Sequence, residues 1–306
     1  MAADVWLIAG PTASGKSTLA LALAERIGGA VVNADSVQLY RDLRVLSARP
    51  SAEEEARAPH RLYGVADASD AWSAGRWLRA ASAELETLAA EGRPAVVVGG
   101  TGLYFRALIQ GLADTPDIPL AARDAAMREL LEHGEAPVRA RLRTIDPEAE
   151  ARIETGDRQR LVRALIVAEA GRPLSTLQRE TRGAFDVRGW RAVVLEPPRA
   201  ELYARCDARV AAMATDGAVA EVEALLARGL NPELPAMKAI GVREFGSVLQ
   251  SEASLTAAVE VAARQTRRYA KRQSTWFRNQ TAGWPRLERP DLGALMAVPP
   301  LPPAAA

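Results

Sequence analysis

Eight residues near the start of the chain, Gly10, Pro11, Thr12, Ala13, Ser14, Gly15, Lys16 and Ser17, fit the spacing G-x-x-x-x-G-K-[ST] of a phosphate-binding loop. An apolar run, Val5–Ala9, precedes them, and a stretch rich in alanine and leucine, residues 18–26, follows. A strand, a glycine loop and a helix start together aim backbone N–H groups at a phosphate chain. In that arrangement Lys16 reaches the outer phosphates and the Ser17 hydroxyl holds Mg²⁺. The loop predicts a bound diphosphate or triphosphate. It leaves open what is done with it.

Hydrolysis of a nucleotide usually needs a second strand that ends in an aspartate. Here the run Ala95 to Val98 ends in Gly99-Gly100-Thr101-Gly102, without an acid, and no Asn-Lys-x-Asp motif is present. A carboxylate follows a different strand, in Asn33-Ala34-Asp35-Ser36-Val37-Gln38. Ligands of open α/β sheets bind beyond the carboxyl ends of the strands, so Asp35 is expected to face the same crevice as the loop. It suits a proton acceptor for a nucleophile, and equally an N-cap for the next helical turn. The Thr101 hydroxyl, which can donate and accept, suits the orienting of a nucleophile, and equally a helix cap.

Charge gathers near the C-terminus. Between Arg264 and Gln280 there is no acidic residue, and Tyr269, Trp276 and Phe277 interleave with the bases. Helical spacing puts Arg264, Arg268 and Lys271 on one face, with Arg272 beside them and Arg267, Lys271 and Arg278 near a neighbouring one. Such a face fits a phosphate backbone, with aromatics to stack on splayed bases; the alternative is a solvated face over a packed core. Residues 157–163 carry three arginines in six residues, and fit either a second nucleic-acid contact or a salt-bridged helix. Arg205 and Arg209, one helical turn apart, suit a diphosphate clamp opposite the loop or ion pairs with Glu201 or Asp207. Cys206 reads as a small buried residue, and His60 carries no chemical assignment.

The elements that must hold these groups follow from hydrophobic patterning. Val5–Ala9, Ala30–Asn33, residues 95–98 and residues 192–195 read as buried parallel strands separated by helical patterns, notably residues 72–91. That alternation predicts an α/β fold, a parallel sheet flanked by helices. From Pro119 to about Glu180 only helical patterns occur, punctuated by Pro116, Pro119, Pro137, Pro147 and Pro173. We therefore expect an inserted all-helical domain at residues 118–184 within a core made of residues 1–117 and 185–306. Residues 217–229 read as an amphipathic helix and residues 260–278 as a long basic one. The tail, residues 299–306, is expected to fray.

Composition narrows the class. The 306 residues hold 39 Lys and Arg against 38 Asp and Glu, so a nucleic-acid surface must come from local clustering. One cysteine and two histidines make a disulfide framework or a histidine or cysteine metal centre improper for this chain. No apolar run approaches a membrane span, and Gly10-Pro11 interrupts the first one early, so a cytoplasmic protein without membrane contact is expected. Nothing suggests an obligate dimer, and a monomer is expected.

Taken together, these segments resemble the tRNA dimethylallyltransferases, also called tRNA isopentenyltransferases. The matching pieces are residues 10–17, 33–38 with Tyr40, 99–104, 157–165, 205–213, Ala239-Ile240-Gly241 and the basic run ending Gln273-Ser274-Thr275-Trp276. They occur in the family's order. The resemblance implies a P-loop core and transfer of the dimethylallyl group of dimethylallyl diphosphate to N6 of the adenosine next to the anticodon of tRNA, with release of diphosphate. It implies that the loop holds the donor's diphosphate with Mg²⁺ on Ser17, and that Lys16 and Arg209 or Arg205 neutralise the leaving group. It implies that Asp35, with Thr101, receives the N6 proton, and that Asp35, Ser36, Val37 and Gln38 contact the extruded adenosine and its neighbours. The insertion would grip the anticodon stem-loop through Gln159, Arg160, Leu161, Val162, Arg163 and Arg123. The chain departs from the family pattern at Leu46-Ser47-Ala48-Arg49-Pro50, at Ile166, at Arg61 and at Gly156.

Other readings use the same loop differently. A small-molecule or nucleoside kinase would bind ATP there, and would have no use for the basic C-terminal helix. A non-catalytic RNA-binding NTPase would need the acid that is missing after Val98. An adenylate isopentenyltransferase would need a smaller insertion and little tRNA surface.

Overall fold

A computed structural model describes residues 4–113, 115, 116, 120–181, 183 and 185–301. The chain divides into two compact units, residues 1–108 with 185–306, and residues 109–184. Residues 117–119, where the proline punctuation put the start of the insertion, lie outside the described residues, as does residue 184 at its end.

The first unit is built on a parallel sheet of β1 (Val5–Ala9), β2 (Ala30–Asn33), β3 (His60–Arg61), β4 (Ala95–Gly99), β5 (Arg191–Leu195) and β6 (Arg286–Leu287). The strand order is β3-β2-β4-β1-β5-β6. The four strands read from apolar runs occupy the middle, where both faces are covered, and are almost wholly buried. The two missed by patterning, β3 and β6, are two-residue edge strands whose charged residues are half-buried. Register is regular: Val5 pairs Ala95, Ala30 pairs Ala95, and Trp6 pairs Arg191.

Helices α1 (Lys16–Ile27), α2 (Ala52–Arg57), α3 (Ala74–Ala90) and α4 (Gly102–Gln110) connect the first strands. Ser73 caps α3 by accepting the Arg76 N–H, and Trp77, Ala81, Leu85 and Leu88 form its buried face at helical spacing. Burying each such large side chain contributes roughly 1.5–3 kcal/mol. Trp77 stacks on Tyr104 of α4 with ring centroids 4.1 Å apart, and donates its indole N–H to the Asn33 carbonyl at 2.9 Å. The α3 face thus fixes the carboxyl end of β2.

The second unit holds α5 (Leu120–His133), α6 (Glu135–Ile145), α7 (Pro147–Arg152), α8 (Arg158–Glu169) and α9 (Leu174–Glu180). No strand occurs among its described residues. Its core includes Leu130, Val138, Leu142, Leu161, Val162 and Leu165. Asp146, 1% exposed, caps α7 through the Ala149 N–H at 3.0 Å and also accepts the Ser175 N–H at 2.9 Å. One carboxylate therefore ties the α6–α7 corner to the start of α9.

The first unit resumes with α10 (Arg199–Thr215), α11 (Ala218–Leu226), α12 (Val242–Leu249), α13 (Leu255–Gln280) and α14 (Leu292–Met296). The basic helix α13 is longer than its charged run suggested, because Ser254 caps it and Ala258 and Ala262 extend its buried stripe. The tail is better anchored than expected up to Leu301, whose N–H reaches the Trp190 carbonyl at 2.6 Å. Residues 302–306 lie outside the described residues.

Candidate active site

Three adjacent strands, β2, β4 and β1, bring the turns that follow them side by side. Those turns carry Asp35, Thr101 and the phosphate loop. This is the crevice beyond the carboxyl ends of the sheet where α/β folds bind ligands.

The loop has the shape its spacing predicts. Ala13 and Gly15 adopt positive φ of 62° and 91°, which turns successive N–H groups inward. Lys16 is 9% exposed and donates to the Pro11 carbonyl at 3.1 Å. Burial pushes its ammonium down to about 8, against the attraction of Asp35 and with added repulsion from Arg209. The Ser14 hydroxyl is 0% exposed and has no hydrogen-bond partner among the described residues. Ser17 is exposed at the start of α1.

The two arginines of α10 both reach the loop, by different contacts. Arg209 donates to the Thr12 hydroxyl at 3.0 Å, and burial lowers its basicity, with Asp35 among the charges that it feels. Arg205 is paired with Glu201 and reaches the Ser14 carbonyl only at 3.4 Å. The ion-pair alternative therefore describes Arg205, while Arg209 lies on the loop.

Asp35 sits in a turn held by its neighbours. Asn33 Oδ1 accepts the Asp35 N–H at 2.8 Å, and Asn33 Nδ2 donates to the Asp35 and Leu62 carbonyls, each at 3.0 Å. Asp35 Oδ1 accepts the Val37 N–H at 3.0 Å, so one oxygen does the turn-capping work. Its Oδ2 has no hydrogen bond among the described residues. Thr101 Oγ1 accepts the Ser36 N–H at 3.0 Å and lies 3.3 Å from Ser36 Oγ. It therefore joins the Asp35 turn and does not cap α4. Gly99 permits this approach: a Cβ there would fall 2.1 Å from the Ala34 carbonyl oxygen.

Gln38 donates its amide to the Ser47 and Ala48 carbonyls at 3.0 and 2.9 Å. That loop is tethered in turn by Glu221 of α11, whose carboxylate accepts the N–H groups of Arg44, Val45 and Leu46 at 2.6, 2.7 and 2.9 Å. Arg228 adds ion pairs to Asp42 and Asp67.

Along α13, Arg268, Lys271 and Arg272 are exposed, without ion pairs among the described residues, and line an open groove of about 500 Å³ with Thr275, Trp276, Asn279 and Gln280. Arg272 also lies 5.6 Å from the Tyr269 ring centroid. Arg267 and Arg278 are engaged instead with Asp207 and Glu196. Beside this face lies Tyr269, within reach of the Thr101 and Gln273 side chains, where burial pushes its phenol well above the usual range.

In the helical unit, Asp157 caps α8 through the Arg160 N–H at 3.2 Å. Arg158, Gln159, Arg160 and Arg163 are exposed. Leu161 and Val162, expected among the tRNA contacts, are 0% and 1% exposed in the unit's core, so their side chains pack the helix and cannot reach a ligand. Although exposed, the Arg163 guanidinium is partly desolvated by its neighbours, which lowers its basicity, and Arg123 lies close enough to repel it.

No group of three or more His, Cys, Asp or Glu residues among the described residues could hold a metal ion, and no helix there is long and apolar enough to cross a membrane. Cys206 is buried in contact with Ala13, Leu202 and Ala270. His60 Nδ1 lies 2.8 Å from the Ala58 carbonyl, with its ring edge-on to Tyr63.

Sequence reasoning missed Asn33, Glu221 and Gln273 as supports of the site. Only Asn33 carried a local signal, an asparagine two residues before the carboxylate it holds.

Residues 38–280 match the family model described as IPP transferase. The chain is 60% identical over 288 residues to the tRNA dimethylallyltransferase of Phenylobacterium zucineum, covering 94% of this chain and 93% of that one. It is similar to the solved structure of a tRNA isopentenylpyrophosphate transferase from Bacillus halodurans, with 31% identity, a TM-score of 0.67 and coverage of 93% and 89%. A eukaryotic dimethylallyltransferase acting on tRNA gives a TM-score of 0.76 at 26% identity, covering 90% of this chain and 70% of that one.

Proposed function

The chain belongs to the IPP transferase family, and from that membership we infer which of its residues run the transfer of a dimethylallyl group to a tRNA adenosine near the anticodon. The inward N–H groups of the loop, Lys16 and Arg209 receive the donor's diphosphate. The Asp35 carboxylate receives the proton from N6 of the adenosine, with Thr101 fixing the turn that presents it. As N6 bonds to the allylic carbon, the carbon–oxygen bond to the diphosphate breaks and the N6 proton passes to Asp35. An allylic diphosphate leaves readily once its growing charge is stabilised, so preorganised cations serve better than a covalent nucleophile. The adenosine must first leave its stack to reach the donor.

The observation that carries this reading is the mutual field of Asp35, Lys16 and Arg209. A carboxylate and two cations share one crevice, which suits proton removal beside a departing anion. The described residues offer Ser17 as a hydroxyl ligand and no acidic cage for a metal. That fits Mg²⁺ held chiefly by diphosphate oxygens and water, where it would neutralise leaving-group charge. We assign Arg268, Lys271 and Arg272 to the tRNA backbone, and Arg123, Gln159, Arg160 and Arg163 of the helical unit to the anticodon stem-loop. A cytoplasmic location and a monomer accord with this reading.

Incubation with labelled dimethylallyl diphosphate and either unmodified tRNA or AMP tests it. Label is expected on tRNA alone. Transfer to AMP only, or ATP hydrolysis without prenyl transfer, would overturn it. Asp35→Ala is expected to lower transfer on the order of 100-fold or more while tRNA binding survives.

A further inference from the structure

Gln273 lies on the buried side of α13 and is 6% exposed. Its amide is used at both ends. Oε1 accepts the N–H of Thr12, in the phosphate loop, at 2.8 Å. Nε2 donates to the carbonyl of Gly100, next to Thr101, at 2.9 Å. The fit is close: a Cβ on Gly100 would fall 2.2 Å from Gln273 Nε2. The chain of contacts runs further, because the Thr12 hydroxyl accepts from Arg209 at 3.0 Å. One side chain thus spans the turn that bears Thr101 and the loop that bears Lys16, two segments that come from different strands.

We propose that Gln273 is a positioning residue that sets the distance between the proton-accepting side of the site, Asp35 and Thr101, and the leaving-group side, the loop and Arg209. This rests on the prenyl-transfer reading above. The reaction needs the adenine nitrogen, the allylic carbon and the departing oxygen in register, and a displacement of about 1 Å costs on the order of 100-fold in rate. Gln273 touches neither reacting atom. It acts through Thr12 and Gly100.

The chemistry of the amide supplies a specific test. Gln273→Met keeps the length and packing and removes both hydrogen bonds. Gln273→Glu keeps the acceptor toward Thr12, but an ionised carboxylate meets the Gly100 carbonyl with a second acceptor. A protonated Glu at this position restores one donor and one acceptor, as in the native amide. The titratable group within reach of the position, the Tyr269 phenol on the same helix, and the charged groups of the site, Lys16, Arg209 and Asp35, are common to both variants and the native protein. The ratio of variant to native activity at each pH therefore isolates the new carboxyl group.

The experiment measures steady-state transfer to tRNA at saturating substrates from pH 5.5 to 8.5, with tRNA affinity and thermal melting followed in parallel. Gln273→Met is expected to lose about 100-fold in kcat at every pH, with tRNA affinity unchanged. Gln273→Glu is expected to lose a similar factor at high pH and to recover at least tenfold, relative to native, as pH falls. If Gln273→Met keeps kcat within twofold of native, the proposal is overturned. If the Gln273→Glu ratio is flat with pH in a protein that melts cooperatively, it is overturned as well. Should Gln273→Met fail to fold, the Gln273→Glu profile decides alone. An inactive native protein would instead count against the prenyl-transfer reading itself.

Discussion

Asn33 holds Asp35 from both sides of its residue, accepting the Asp35 N–H at 2.8 Å and donating to the Asp35 carbonyl at 3.0 Å. The asparagine is fully buried, and its own carbonyl accepts the Trp77 indole N–H. Asn33→Ala removes these side-chain bonds and leaves the Leu62 carbonyl and the Asp35 peptide unpaired. Stability is expected to fall by roughly 1–3 kcal/mol, and kcat by more than the donor KM rises. Denaturant melts and steady-state kinetics check both; unchanged kcat in a destabilised protein would mean that the Asp35 turn holds itself.

Lys16 should take up a proton when the loop is filled. Burial puts its folded-state value at about 8, below the unfolded 10.5. In the empty protein it is therefore partly neutral near pH 8, and a diphosphate beside it favours the ammonium again. Calorimetry of inorganic diphosphate binding at pH 8, in buffers of different ionisation enthalpy, is expected to show uptake of about half a proton more than in Lys16→Met. The sign for stability is the reverse of an ordinary stabilising pair. Between pH 8 and 10.5 the unfolded chain keeps the proton that the folded chain sheds, so the empty protein gains stability as pH rises.

The basic groove on α13 should govern the salt dependence of tRNA binding. Replacing Arg268, Lys271 and Arg272 together by Gln removes three exposed cations that have no ion pair among the described residues. The slope of log affinity against log salt is expected to become shallower by about 2. Fluorescence anisotropy from low to moderate salt measures it. An unaltered slope would remove this face from the RNA contacts.

Asp146 should control the stability of the helical unit. Asp146→Ala deletes the α7 cap and leaves the Ser175 N–H unpaired, at a cost of roughly 1–3 kcal/mol. Burial opposes its charge, but hydrogen bonds from Ser175 and Ala149 outweigh it and lower its pKa below the usual value. Its contribution is accordingly present above the ordinary aspartate range and is lost as pH falls through the lowered folded value. Acid unfolding of the native protein and of Asp146→Ala, followed by circular dichroism, should converge at low pH.

Some of this was legible in the residues and some was not, for a physical reason. The phosphate loop is a local backbone motif, so its eight residues carry their own geometry. Asp35 and Thr101 were visible because each ends an apolar run, and parallel strands deliver their ends to one side. Strand order was not visible: nothing in the run Ala95–Gly99 says that it lies between β2 and β1, yet that placement makes Thr101 the neighbour of both Asp35 and the loop. Gln273 was hidden for the same reason, since its partners are 261 and 173 residues away. Glu221 looked like any acid on an amphipathic helix, and its partners are three backbone N–H groups about 175 residues distant. Within residues 159–163 the helix turns the Leu161 and Val162 side chains into the core, which a run of matching residues does not reveal.

In the phosphate loop Lys16 rests on the Pro11 carbonyl and Arg209 on the Thr12 hydroxyl. The cradle acts as its own competitor. An incoming diphosphate exchanges partners with these two cations and does not simply add them, so part of what it gains is offset by contacts that the protein gives up. The same exchange runs backwards at the end of a cycle, when the loop reclaims its own carbonyl and hydroxyl. An enzyme that must discard a highly charged product at every turnover is served by a loop whose two cations have carbonyl and hydroxyl partners of their own to return to.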